Sequence, residues 1–130
     1  MESNNGGRNV LLRNDEGWDF KDVTEEIGLA DGNDRYSTSG IWADCDVDGD
    51  LDLFVTNEFH SDCYYENRDG WLSKKNNGPI GYEPGRHTTA STGDFNGDSR
   101  PDVLVGSNVS FETARFIAEY MLHGLSLIHI

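Results

Sequence analysis

Basic residues, cysteine and long apolar runs are all scarce in this 130-residue chain, and each scarcity closes off a class of protein. Lys and Arg number 10 against 24 Asp and Glu, for a formal net charge of −14. A surface this acidic repels nucleic-acid backbones and anionic lipid, so neither is expected as a partner, and a cation is. Cys45 and Cys63 are the only cysteines, too few for a disulfide framework. They fall at opposite ends of a strand about 20 Å long, so two separate thiols are expected. The one extended apolar stretch, Phe111 to Ile130, is interrupted by Glu112, Arg115 and Glu119, which argues against a membrane span. Met1 to Arg8 is polar and lacks the apolar core of a secretory signal, so an export signal would lie outside this chain. The length suits one domain, since domains run to roughly 100–200 residues.

The acidity is concentrated where it can do chemistry. Five Asp residues fall within 44–52 and three within 94–102. Those windows belong to one of two internal repeats. Ala43 to Leu53 recurs at Gly93 to Val103, shifted by 50 residues, with small residues before each copy (Ser39-Gly40, Thr89-Ala90) and an apolar strand after it. Leu11 to Trp18 recurs at Tyr64 to Trp71, shifted by 53 residues and preserving Asn, Gly and Trp, the pattern of a hairpin.

Repetition at this spacing signals a blade-like or solenoidal array. The sequence alternates hairpin and Asp turn and predicts strands near 9–14, 18–23, 37–43, 51–56, 63–67, 71–74, 87–93 and 102–107. The expected fold is all-β: a partial β-propeller made of half a blade, one full four-stranded blade and half of another. Residues 1–8 are expected to be a disordered, polar N-terminus, 9–110 carry the blades, and 111–130 are an atypical tail with apolar positions at helical spacing. The closing Leu125-Ser126-Leu127-Ile128-His129-Ile130 resembles translated sequencing-adaptor read-through, so the tail is read as non-native and given no role. Gly28–Tyr36 and Asn76–Arg86, rich in Gly, Asn, Asp and Pro, read as linkers between blades.

Calcium takes about 6–8 oxygen ligands, so a binding loop must gather carboxylates while the backbone curls around the ion. Asp44, Asp46, Asp48 and Asp52 stand at loop positions 1, 3, 5 and 9, Asp50 offers a carbonyl at 7, and Gly49 permits the bend. Position 12, a bidentate Glu in an EF-hand, is Val55 here and Val105 in the second copy, so a helix-loop-helix site is excluded.

An Asp loop closed at position 9 ahead of a strand resembles FG-GAP or VCBS repeats. The likeness extends through Trp42 to Asn57 and through Asn9 to Leu29, with its Asp22-Val23-Thr24-Glu25-Glu26-Ile27-Gly28-Leu29 run. It covers about residues 9–109. The phrasing is closest to the cartilage-acidic-protein-like (ASPIC/UnbV) group, with integrin-α propellers as more distant members. The resemblance implies a calcium-binding propeller of about seven or eight blades, usually extracellular or on the cell surface, whose two ions are structural. It places the ligands on Asp44, Asp46, Asp48, Asp50 (carbonyl) and Asp52, and on Asp94, Asn96, Asp98, Arg100 (carbonyl) and Asp102. Ser99 replaces the usual Gly of the second loop. If that position requires positive φ, Ser adds strain of about 1 kcal/mol, and Asn96 supplies one charge less, so the second site is expected to be the weaker.

Elsewhere the residues read as structural. His60, His87, His123 and His129 lack zinc-like spacing and read as surface histidines, Trp18, Trp42 and Trp71 read as packing between blades, and Asn108-Val109-Ser110 is a glycosylation sequon. No nucleophile elbow or phosphate loop occurs, so no enzyme activity is expected. The function that follows is a scaffold for protein or glycan binding and adhesion, completed by further blades or by self-association. The alternative is an accessory or catalytic propeller segment of a secreted polysaccharide- or lipid-active enzyme.

Overall fold

The structure is a computed structural model, and it describes residues 7–30, 35–75 and 86–107. The expected tail at 111–130, the sequon, residues 31–34 of the first linker and nearly all of the second lie outside the described residues. Within them the chain is all-β, with eight strands: β1 (Leu12–Glu16), β2 (Asp19–Asp22), β3 (Ser37–Ala43), β4 (Asp52–Asn57), β5 (Cys63–Arg68), β6 (Trp71–Lys75), β7 (His87–Gly93) and β8 (Asp102–Ser107). They form a β1-β2 hairpin, a four-stranded meander β3-β4-β5-β6 and a β7-β8 pair, all antiparallel. That is the predicted half blade, full blade and half blade. Among the described residues, no helix is long and apolar enough to cross a membrane.

The core sits on the central blade. Side chains alternate across a strand, so Leu53 and Val55 of β4 share a face with Cys63 and Tyr65 of β5 and Leu72 of β6. Leu29 joins this cluster, and Leu11 and Ile27 from the N-terminal half pack against it. Backbone bonds fasten that half down: Ile27 accepts from the Leu72 amide at 2.7 Å, and Leu11 accepts from the Val23 amide at 3.0 Å. The Thr24 hydroxyl donates to Asp22 Oδ1 and accepts from the Leu11 amide, so a fully buried polar residue is satisfied on both sides. The Thr24 hydroxyl, followed by the Thr24 amide, which also donates to Asp22 Oδ1, holds the Asp22 carboxyl below the usual Asp range. Gly28, at φ +83°, passes so near β6 that a Cβ would lie 2.6 Å from the Leu72 carbonyl oxygen, which leaves glycine as the residue that fits.

The C-terminal half docks on the other side. Thr38 donates to the His87 carbonyl at 2.7 Å, Asp62 holds the His87 imidazole at 2.7 Å, and Glu58 bridges to Arg86. His87 is therefore a half-buried link between blades and not the surface histidine expected, whereas His60 is exposed. The small residues of β3 and β7 allow the close approach of these two strands. The tryptophans divide. Trp71, though half exposed, lays its indole against Gly28 of the N-terminal half as expected, whereas Trp18 is 94% exposed at the first hairpin turn and Trp42 remains exposed; the buried aromatics among the described residues are Phe54, Tyr64 and Tyr65.

Candidate metal centre

Each Asp turn joins the first two strands of a blade, β3 to β4 and β7 to β8. The carboxylates of Asp44, Asp46 and Asp48 converge, with one ligating oxygen from each lying within 4.8 Å of the others. The turn builds this arrangement from its own amides. Asp44 accepts from the amides of Asp48 and Gly49, both at 3.0 Å, Asp46 accepts from Asp48, and Asp48 accepts from Asp50. These bonds curl the backbone under the first three acids.

The second turn repeats the same pattern residue for residue. Asp94 accepts from Asp98 and Ser99, Asn96 accepts from Asp98, and Asp98 accepts from Arg100. Two bonds are new: the Gly97 amide donates to Asp94 Oδ1 at 2.7 Å, and the Asn96 side-chain amide donates to Asp98 Oδ2 at 3.1 Å. An internal donor there offsets the charge of Asp98, whereas in the first turn three like charges face each other. The consequence is visible at Asp46, whose carboxyl is raised by burial and then by Asp48 and Asp52. A divalent cation would reverse that penalty.

Asp50 and Asp52 do not join the trio. The Asp50 side chain accepts from the Asp69 amide at 2.8 Å, which leaves its main-chain carbonyl as its means of ligation. Asp52 is 1% exposed and receives three donors: the Cys45 amide, the Asn67 amide at 2.8 Å and the Tyr64 hydroxyl at 2.6 Å. The bond to Asp52, after burial, drives the Tyr64 hydroxyl well above its ordinary value. Asp102 repeats only one of these contacts, accepting from the Phe95 amide, and is half-buried. Sequence reading missed Tyr64 and Asn67 as partners of Asp52; the signal lay in the placement of the second hairpin directly after β4.

Both turns need two residues in the left-handed region, at loop positions 4 and 6. The first has Val47 at φ 63° and Gly49 at φ 100°, and the second has Gly97 at φ 78° and Ser99 at φ 66°. Ser99 does adopt the positive φ on which its expected strain depended. Val47, a β-branched residue, carries a comparable burden in the first turn, so strain does not separate the two sites. The difference that remains is charge and burial.

The two turns border one cleft, of about 520 Å³, lined by Cys45, Asp46 and Val47 from one and Asp98, Ser99 and Arg100 from the other. Neither cysteine forms a disulfide among the described residues, and burial, followed by Asp52, Asp44 and Asp46, pushes the Cys45 thiol up. The oxygen-only donor set of Asp44, Asp46 and Asp48 suits a hard cation such as calcium. Compared with protein-family models, residues 44–105 match the FG-GAP-like repeat. No curated protein matches the chain.

Proposed function

We propose, from the premise that residues 44–105 are an FG-GAP-like repeat, that this chain is a calcium-dependent β-propeller segment acting as a scaffold for a protein or glycan partner outside the cell. The observation that carries the reading is the convergence of three carboxylates on a turn whose own amides hold them together. Like charges so placed repel, and a dication relieves the repulsion. Asp44, Asp46 and Asp48 would hold the first ion with the Asp50 carbonyl, and Asp52 would brace the loop beneath them or add an oxygen. Asp94, Asn96 and Asp98 would hold the second, with the Arg100 carbonyl and Asp102 in the matching places.

The ions would be structural. They fix the turns between the two innermost strands of each blade, and binding of the partner falls to other surfaces. The role is binding and not catalysis, because the clustered carboxylates are committed to the loop and its ion.

A thermal melt with millimolar calcium and with chelator tests the reading. At free calcium about 100 times the dissociation constant, each site adds about 2.7 kcal/mol. For a domain of this size that raises the midpoint by roughly 10 °C or more. Equal midpoints in calcium and chelator, together with no heat of binding in calorimetry, would reject it. Assaying the protein against polysaccharide and ester substrates separates the scaffold from the enzyme reading.

A further inference from the structure

Asn96-Gly97 in the second Asp turn is a dipeptide able to react with itself, and no other Asn is followed by Gly among the described residues. Glycine has no side chain to shield its peptide nitrogen, and a Cβ built at Gly97 would meet nothing within 4 Å. Both residues are exposed, so water reaches them. The two bonds by which the second turn departs from the first, from Gly97 to Asp94 and from Asn96 to Asp98, both fall on this dipeptide.

The hydrogen bonds of the turn touch each atom that the reaction would use. The Gly97 amide donates to Asp94 Oδ1 at 2.7 Å, the shortest bond among those of the turn. Asp94 also accepts from Asp98 and Ser99. A carboxylate so placed draws the proton from the Gly97 nitrogen and makes that nitrogen a better nucleophile. The Asn96 side-chain carbonyl accepts from the Asp98 amide at 3.0 Å. That bond closes a ring containing the Gly97 nitrogen, holds the carbonyl over it, and steadies negative charge developing on the oxygen. The side-chain nitrogen, the group that would leave, donates to Asp98 Oδ2 at 3.1 Å.

We propose that Asn96-Gly97 is a site of self-modification, in which the folded turn promotes closure of a succinimide. The Gly97 nitrogen attacks Asn96 Cγ and forms the new N–Cγ bond. The Cγ–Nδ2 bond breaks, and the Gly97 proton departs with the side-chain amino group as ammonia. Water then opens the ring. Cleavage at Cγ gives aspartate, and cleavage at the main-chain carbonyl gives isoaspartate, whose backbone runs through Cβ and Cγ. No electrons are gained or lost, and water is the sole co-reactant.

The first turn is closed to this chemistry. Its position 3 is Asp46, and a carboxylate resists attack by nitrogen far more than an amide does. Its position 4 is Val47, whose branched side chain crowds the nitrogen that would attack. Opening to aspartate gives the second turn acids at positions 1, 3 and 5, the set that Asp44, Asp46 and Asp48 make in the first. Opening to isoaspartate lengthens the main chain and throws the amide bonds of the turn out of step. The second turn therefore changes its charge with age, and no enzyme is required. The reaction needs no ion, so it can stand if calcium binding fails, and the reverse.

The test incubates the full chain with chelator at neutral pH and one temperature, folded below its thermal transition and unfolded in urea. Peptide mass spectrometry that separates aspartate from isoaspartate follows Asn96. Conversion should run roughly tenfold faster in the folded chain than in urea, with both acids formed. Asp94→Asn should bring the folded rate down to the urea rate while the β-sheet circular dichroism persists. Gly97→Val, which copies the residue of the first turn, should leave Asn96 an amide. Asn5-Gly6 and Asn77-Gly78, in the same digests, show that the conditions in urea support the reaction. Folded conversion no faster than in urea, aspartate without isoaspartate, or undiminished conversion in folded Asp94→Asn or in Gly97→Val would each overturn the proposal.

Discussion

The two Asp turns trace the same backbone path with the same five hydrogen bonds, yet they sit in different surroundings. The first is backed by a finished blade, and its last Asp is buried among three donors. The second is backed by two strands alone, and its last Asp is half-buried. The shape of the turn is therefore set locally, by side-chain carboxylates accepting from nearby amides. Its stability is set by what is packed beneath it. Charge divides them as well, since Asp46 is a third carboxylate where Asn96 is an internal donor.

The sharpest way to break this comparison is at position 9. Asp52→Ala strands a buried hydroxyl and two amides and should destabilise the protein by about 3 kcal/mol or more, against about 1 kcal/mol for Asp102→Ala. Urea denaturation measures both, and equal losses would erase the distinction between the two surroundings. Next comes charge at position 3. Asp46→Asn should weaken calcium at the first turn about tenfold and Asn96→Asp should strengthen the second by a similar factor, as calorimetric titration would show.

Backbone strain gives smaller effects. Val47→Gly should stabilise the protein by about 1 kcal/mol, by relieving a β-branched residue in the left-handed region. Ser99→Gly should gain only about 0.5 kcal/mol, because Ser tolerates that region better. A larger gain at Ser99 than at Val47, read from thermal midpoints, would return strain to the list of what separates the turns.

Much of this was legible in the residues themselves. Seven of the eight strands fall where alternating apolar positions and Gly-containing turns put them, because those patterns are local; the first, expected at 9–14, runs Leu12–Glu16. The two Asp turns were equally plain, since their bonds stay within about nine residues of sequence. What escaped notice depends on partners far along the chain. Two of the donors to Asp52 come from another strand, and the Asp62–His87 link joins different blades. Trp18 misled for a related reason. Its hairpin carries the same Asn-x-x-Gly-Trp signature as the second, but the turn there falls at Gly17-Trp18 instead of Asp69-Gly70, so the indole ends on the tip and not in the strand.

The buried Asp52 also dictates an order of events during synthesis. Its partners Tyr64 and Asn67 leave the ribosome 12 and 15 residues later, a delay of about one to three seconds. Until they arrive the carboxylate has the Cys45 amide as its one partner of the three, and its other oxygen must stay hydrated, because a charge short of donors is costly to withdraw from water. Nascent β3 and β4 therefore wait, and the hairpin that follows them closes the seal.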